Sequence, residues 1–369
     1  MKKIIFLQSK LPSEQVALNQ IISRWRIYEN IIREKSYDSG IWLFTPLQLT
    51  KENIAALTLG GLKQFPSVEI HLGRLRRLRG LLKELEQEQK SFNVVCGDNQ
   101  ESLLVGFLIK IKFREFAKLQ IQFHGDIYSW RNNPGLKGLS RVLLSRLGIY
   151  FSDSIRIVSK FQAQEIVEIS KRAESKFVLA PIPIDISRIS YAPRDLDFDI
   201  AYIGRLHNER GVKEFLEIVK ALKFINPDIR IVIVGDGFLW NLIKKDLSKW
   251  LTDSTVAMTG FLPPNRISEI YSSSKILLSC APREGYGLTL REAVLSGLHV
   301  VARVSQGTRE LTESFPDAID VYIDLNQAVG LIQKRLVELR PQQNFEYIQA
   351  QVQKDLEGVS RLVDSWLTD

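Results

Sequence analysis

The chain has 369 residues, 45% apolar and 25% charged, a balance that excludes disorder and suits two α/β domains, each with its own core. No apolar run reaches the roughly 18–20 residues needed to cross a bilayer, and two distant cysteines, Cys96 and Cys280, argue against a disulfide framework or a Cys-rich metal site. The net charge of +8 is uneven: residues 1–146 hold 23 Lys and Arg against 13 Asp and Glu, and the remainder hold 27 against 29, so the first half is expected to meet something anionic, such as phospholipid headgroups, a lipid-diphosphate acceptor or nucleic acid.

In chain order, the N-terminal apolar stretch stops at Gln8-Ser9-Lys10. It is too short for a signal-peptide h-region and predicts a buried strand over residues 3–7, which makes a cytoplasmic location the default. Further runs rich in Ile, Val, Leu and Phe predict strands at 40–44, 68–72, 93–96, 118–123 and 154–158. Longer amphipathic stretches separate them, as in βαβ units whose parallel sheet is covered on both faces. One of these, residues 74–83, sets Leu75, Leu78, Leu82 and Leu85 in a stripe with arginines around it. It reads as a helix with a solvated basic face. The alternative, supported by Lys110, Lys112, Arg114 and Lys118, is an element touching anionic lipid.

Pro181, Pro183 and Pro193 punctuate a segment without helical periodicity, so a linker is expected over 181–197. The βα pattern then restarts, with strands predicted at 198–203, 229–234, 255–258, 276–279, 299–302 and 318–323. The last segment, 344–367, predicts a helix with an apolar stripe of Ile348, Val352, Leu356, Val359, Val363 and Trp366. The expected domains are therefore 1–185, joined by the helix at 345–369, and 195–343.

The most informative stretch is Arg283-Glu284-Gly285-Tyr286-Gly287-Leu288-Thr289-Leu290-Arg291-Glu292-Ala293. It predicts a strand end, a glycine-bearing loop, and a helix starting near Leu288. Such a helix start offers free N–H groups and a positive dipole end to an anion, and the glycines allow close backbone approach. Glu284 before the helix, and Glu292 one turn inside it, suit sugar hydroxyls and a vicinal diol. A second element, Tyr202-Ile203-Gly204-Arg205-Leu206-His207-Asn208-Glu209-Arg210-Gly211, puts two arginines after a strand, as a diphosphate requires. A third, Val234-Gly235-Asp236-Gly237, is another strand followed by a glycine turn. All three fall at strand C-terminal ends, where open α/β sheets bind ligands.

Residues 199–310 resemble the retaining GT4 family of glycosyltransferases, of GT-B fold. That family's pattern has a Gly-Arg-Leu turn followed by a basic residue and Gly, then a Val-Gly-Asp-Gly turn and a Gly-Phe/Val-Leu segment. A Glu-Gly-Phe-Gly-Leu run follows, with a second Glu eight positions beyond its first. Residues 204–211, 234–237, Gly260-Phe261-Leu262 and 284–292 match in that order. The resemblance implies two Rossmann-like domains with parallel sheets facing across a cleft, the terminal helix crossing back to the first.

It also implies transfer of a sugar from a nucleoside-diphosphate sugar to a saccharide or lipid-linked acceptor hydroxyl, with retention. Cell-envelope or extracellular polysaccharide assembly is the setting, with peripheral membrane attachment as an option. Arg205 and Arg210 would hold the diphosphate after the Gly204 turn, and Glu284 and Glu292 the sugar and ribose. Gly287, Leu288 and Thr289 would contact phosphate through their backbone, Gly285 and Tyr286 would be among the other donor-binding residues, and Thr259, Phe261 and Leu262 would lie along the base. His124 would face the donor sugar, while Asp98, Glu101 and Asp126 border the acceptor side. No metal and no cofactor are expected, since guanidinium groups and amides supply the positive charge.

The sequence departs from the family at Arg210 for Lys, His299 for Pro, and Gln306-Gly307 for Gly-Gly. The loop Gln8-Ser9-Lys10-Leu11 also lacks a glycine pair, so acceptor binding is not carried over. The rival readings are a GT-B nucleotide-sugar epimerase and a non-enzymatic nucleotide or nucleic-acid binder. The first lacks an acid–base cluster, and the second lacks any nucleic-acid motif.

Overall fold

The computed structural model describes residues 2–7, 27–28, 30–35, 39–45, 68–72, 75–87, 91–97, 100–123, 135–184, 189, 196–339 and 345–368. The chain divides into two units, Met1–Pro181 with Leu356–Asp369, and Ile182–Asp355.

The first unit is built on a seven-stranded sheet in the order β3-β2-β1-β4-β5-β6-β7. Its strands are β1 (Lys2–Leu7), β2 (Ser39–Thr45), β3 (Val68–Leu72), β4 (Phe92–Cys96), β5 (Ala117–Gln122), β6 (Ser154–Ile157) and β7 (Phe177–Leu179). All neighbours run parallel. Ile4, Ile5, Val94, Val95, Leu119 and Ile121 are buried on the central strands, as both-face coverage demands. Helices α1 (Leu75–Glu86), α2 (Gln100–Lys112), α3 (Gly135–Phe151) and α4 (Lys160–Ile169) follow β3, β4, β5 and β6. The sequence reading has no counterpart for β7, whose three residues are too few to show a pattern. The buried Arg156 secures the chain just beyond β7 by donating to Ala180 O and Pro181 O, each at 3.0 Å.

The second unit carries a six-stranded parallel sheet in the order β10-β9-β8-β11-β12-β13. Its strands are β8 (Phe198–Ile203), β9 (Ile231–Val234), β10 (Val256–Gly260), β11 (Ser274–Ser279), β12 (His299–Arg303) and β13 (Ile319–Tyr322). Its helices include α5 (Val212–Ile225), α6 (Trp240–Asp246), α7 (Ser248–Thr252), α8 (Pro264–Ser273), α9 (Leu288–Leu295), α10 (Gln306–Ser314) and α11 (Leu325–Val337). The strands alternate strictly. Ile200, Tyr202, Ile231, Ile233, Ile276 and Leu278 join a core with Val212, Phe215 and Val219 of α5. Ala201, Val232, Val234, Leu277 and Val300 join another with Leu290, Ala293 and Val294 of α9. All twelve expected strands form, with ends within about two residues of expectation.

The terminal helix α12 (Phe345–Leu367) forms as expected, but its buried stripe differs. Ile348, Val359, Val363 and Trp366 are buried, whereas Leu356 is 49% exposed and Gln351 and Asp355 take its place on the inner face. The whole helix was expected in the first domain; only Leu356–Asp369 falls in the first unit, and the stretch up to Asp355 packs in the second. The reason is polar. Asp355 accepts from the Ile184 amide at 2.9 Å, and Gln351 binds the buried Arg291 at 2.9 Å, both within the second unit. In the first unit Trp366 is fully buried, donates to Gln120 Oε1 at 2.8 Å and meets Phe6 edge-on at 5.1 Å.

Candidate functional site

Both sheet orders reverse between their first and fourth strands, so β8 and β11 flank the switch point of the second unit. The loops after β8, β9 and β10 are tied together there. Gly204 N donates to Val234 O at 3.0 Å and Gly235 N to Gly260 O at 2.9 Å. Gly235 has φ +134°, and a Cβ on it would lie 1.9 Å from Gly204 O, so no other residue fits.

After Arg205 the chain makes a short 3-10 turn, Asn208–Arg210, ended by Gly211 at φ +66°. A Cβ on Gly211 would stand 1.8 Å from Cys280 O at the end of β11. That close approach sets Arg210 beside the loop after β11. Its Nη1 donates to Glu284 Oε2 at 3.1 Å, and Glu284 Oε1 accepts from Gly287 N at 3.1 Å. Glu284 therefore bridges a guanidinium and the first turn of α9, with its side chain only 13% exposed. The loop is buttressed from α10. Glu284 N donates to Ser305 Oγ at 3.4 Å, and a Cβ on Gly307 would lie 1.8 Å from Glu284 O. Gly307 is the glycine that this packing needs, which explains why Gln306 is tolerated beside it.

Tyr202, Ile203, Arg210, Ser279, Glu284 and Thr289 are among the residues lining a small pocket at these strand ends. Burial raises the Tyr202 phenol well above its ordinary range and pushes the Cys280 thiol up to about 12. Both stay protonated at neutral pH, and Cys280 is no nucleophile. The arrangement can bind an oxyanion with one guanidinium and the α9 amides, and offers a carboxylate to neighbouring hydroxyls.

The structure brings Arg210, Glu284, Gly287, Leu288 and Thr289 together. Arg205 follows Gly204 on the same turn, with its side chain 71% exposed and its Nη2 paired to Glu209 Oε1 at 2.6 Å. Glu292 lies inside rather than on the rim. It is buried, and its Oε2 accepts from the Tyr271 hydroxyl at 3.1 Å, which also stands 3.3 Å from Thr289 O. Tyr271, at the end of α8, carried no sequence signal.

Gly285 is exposed, but the Tyr286 side chain, expected among the donor-binding residues, turns into the interior. It is buried, receives a hydrogen bond from Gln351 Nε2 at 3.2 Å, and has the Arg291 guanidinium 4.3 Å over its ring. Arg291 Nε also donates to Tyr286 O at 3.2 Å. Burial raises the Asp355 carboxyl above its usual range. Thr259, next to last in β10, has its hydroxyl donating to Gly260 O at 3.0 Å; Phe261 beyond the strand is exposed and Leu262 is half-buried. In the first unit Glu101 is exposed in the first turn of α2. Asp98, His124 and Asp126 lie outside the described residues.

A parallel sheet of Rossmann order in each unit, with an anion cradle at the switch point of the second, defines the class as GT-B. Residues 184–321 match the family of glycosyl transferases group 1. The chain is 32% identical over 112 residues to the sulfoquinovosyl transferase SQD2 of Arabidopsis thaliana, covering 30% of this chain and 20% of that protein. It is 25% identical over 170 residues to the uncharacterized glycosyltransferase YqgM of Bacillus subtilis, covering 45% of this chain and 46% of that one. The matches thus span less than half the length of these relatives. Among solved structures, Anabaena Alr3699/HepE in complex with UDP and glucose superposes with a TM-score of 0.67 at 16% identity, over 99% of this chain and 95% of that one. The lipopolysaccharide outer core galactosyltransferase WaaB, in its apo form, gives 0.65 at 14% identity, over 98% of each chain. These structures establish the shared fold.

Proposed function

We propose that this protein is a glycosyltransferase that moves a sugar from a UDP- or GDP-linked donor to an acceptor hydroxyl, with retention and without a metal. The observation that carries the reading is the Glu284 bridge, which holds Arg210 and the N-terminus of α9 around one point at the switch of the second sheet. The relative solved with UDP and glucose shares this fold and supports the choice of donor class.

In this reading the donor diphosphate sits against the α9 amides and Arg210, with Arg205 at the outer edge. Glu284 turns one oxygen to the sugar hydroxyls. As the bond from the anomeric carbon to phosphate breaks, charge grows on the diphosphate and is met by groups already in place. The acceptor oxygen bonds that carbon on the same face, and its proton passes to the departing phosphate oxygen. The buried Glu292 accepts from the ribose alongside the Tyr271 hydroxyl, since a carboxylate takes several hydrogen bonds at once. A saccharide or lipid-linked acceptor in envelope or extracellular polysaccharide synthesis, presented at an anionic membrane face, suits the basic first half.

Arg210→Ala and Glu284→Ala are expected to lose about 10²–10³-fold in transfer rate, measured with UDP- and GDP-sugars. Arg205→Ala should lose less, since its side chain is already exposed. Full activity in both of the first two variants would defeat the reading. So would titration calorimetry showing binding to an oligonucleotide and to neither UDP nor GDP.

A further inference from the structure

Tyr271 is a phenol where a plain phenyl ring would pack. It is fully buried in the last turn of α8, in a cluster with Leu277, Leu290, Ala293 and Val294. A hydroxyl among such side chains costs free energy unless it is hydrogen-bonded. It donates to Glu292 Oε2 at 3.1 Å. Thr289 O lies 3.3 Å from the same hydroxyl, but a phenol has a single proton to give. The carboxylate takes it, because charge-assisted bonds are the stronger and a carbonyl in the first turn of α9 already accepts from the helix. Glu292 is the stranger residue of the pair. It is 2% exposed, and burying a carboxylate destabilises a fold unless donors meet it. An apolar side chain would serve the core of the second unit better, so packing does not account for the pair.

Its position does. Helix α8 follows β10, which holds Thr259 and leads to Phe261 and Leu262, the residues expected along the base. Helix α9 begins at the anion cradle, and Thr289 in its first turn lines the pocket with Arg210 and Glu284. The Tyr271 hydroxyl ties the first helix to the second at the carboxylate one turn inside α9. Between its base and its diphosphate a nucleotide carries a ribose, and a vicinal diol is a pair of donors that a carboxylate accepts. A glutamate side chain is free to turn about several bonds. Once a buried phenol holds one of its oxygens, the plane of the carboxylate is set before any ligand arrives, and binding is spared the cost of ordering it.

We infer that Tyr271 is a positioning residue, which holds the Glu292 carboxylate in the orientation from which it receives the ribose 2′- and 3′-hydroxyls of the donor. Tyr271 thereby sets the preference of the site for a ribonucleotide over its 2′-deoxy counterpart. This rests on the reading of the second unit as a nucleoside-diphosphate-sugar site and adds to it a residue that touches no part of the donor.

The test is titration calorimetry of the full chain with UDP, GDP and their 2′-deoxy forms. Wild type is expected to bind the ribonucleotide of its preferred base about tenfold or more tighter than the deoxy form, as the loss of a charge-assisted hydrogen bond implies. Tyr271→Phe keeps the ring in the core and should shrink that ratio by about threefold or more. Tyr271→Leu also removes the hydroxyl, and either variant suffices once a melting curve shows it folded. Glu292→Gln should shrink the ratio at least as far. Because Tyr271 acts through Glu292, the double variant Tyr271→Phe with Glu292→Gln is expected to discriminate no worse than Glu292→Gln alone. A tyrosine that only packs would weaken every nucleotide alike, so an unchanged ratio in the folded Tyr271 variants overturns the inference. Equal binding of ribo and deoxy forms by wild type overturns it too, as does a double variant whose ratio falls well below that of Glu292→Gln. In those outcomes tight UDP or GDP binding leaves the proposed function standing. A wild type that binds none of these nucleotides defeats the proposed function, and the inference with it.

Discussion

Tyr286 sits within the loop that caps α9, yet its ring and hydroxyl serve the interior. The family pattern places Phe there; the added hydroxyl here accepts from Gln351 and stands 3.4 Å from Asp355. Tyr286→Phe removes those hydrogen bonds and leaves the ring under Arg291. It is expected to cost about 0.5–1.5 kcal/mol, read as a small fall in midpoint on chemical unfolding. Asp355→Ala should cost more, because it strips the Ile184 amide of its acceptor and leaves Arg291 with less counter-charge.

His299 is a structural residue of the same kind. Burial, helped by the nearby Arg335 charge, holds its imidazole below the ordinary range. The unfolded chain takes up a proton near the ordinary value of about 6.5 while the folded chain resists it. Stability is therefore expected to fall as pH drops below that value, and His299→Gln should flatten this part of the profile, measured by urea titration at several pH values.

At the scale of elements, the site depends on glycines whose neighbours forbid a side chain. Gly211 combines a left-handed φ with a backbone carbonyl 1.8 Å from its missing Cβ, and Gly307 meets a carbonyl at the same distance. Gly211→Ala is expected to destabilise by more than about 1–3 kcal/mol and to abolish the proposed nucleotide binding, since Arg210 moves with it. Gly330, inside α11, has nothing within 4 Å of its Cβ position. Gly330→Ala should stabilise by about 0.5–1 kcal/mol. Differential scanning fluorimetry on both variants checks the contrast, and a stabilised Gly211→Ala would refute the packing argument.

At the scale of the whole molecule, α12 contributes its first half to the second unit and its second half to the first. Trp366 anchors the latter through Gln120, Phe6 and Tyr28. Trp366→Ala is expected to cost about 3–5 kcal/mol, appearing as earlier unfolding of the first unit in a calorimetric scan. A single unshifted transition would contradict it.

The fold was legible because both-face burial of a parallel strand writes itself as a run of Ile, Val and Leu, and several runs here are closed by a glycine, as at Gly97, Gly204 and Gly235. Glu284, Arg210 and the start of α9 were legible for a related reason. Backbone close approach demands glycine, and glycines at fixed offsets mark where the chain turns. What chain order could not carry was direction. Whether Tyr286 faces ligand or core, whether Glu292 lies on the rim or inside, and whether Leu356 or Asp355 completes the α12 stripe depend on partners 21 to 171 positions away. Such pairings are settled by packing, because a buried polar group takes whichever partner the assembled elements bring within hydrogen-bond reach. The exposed leucines of α2 and α3, Leu104, Leu108, Leu143 and Leu147, belong to the same category. A periodic pattern shows that a helix has an apolar stripe, and only the packed sheet beneath shows which stripe it leaves uncovered.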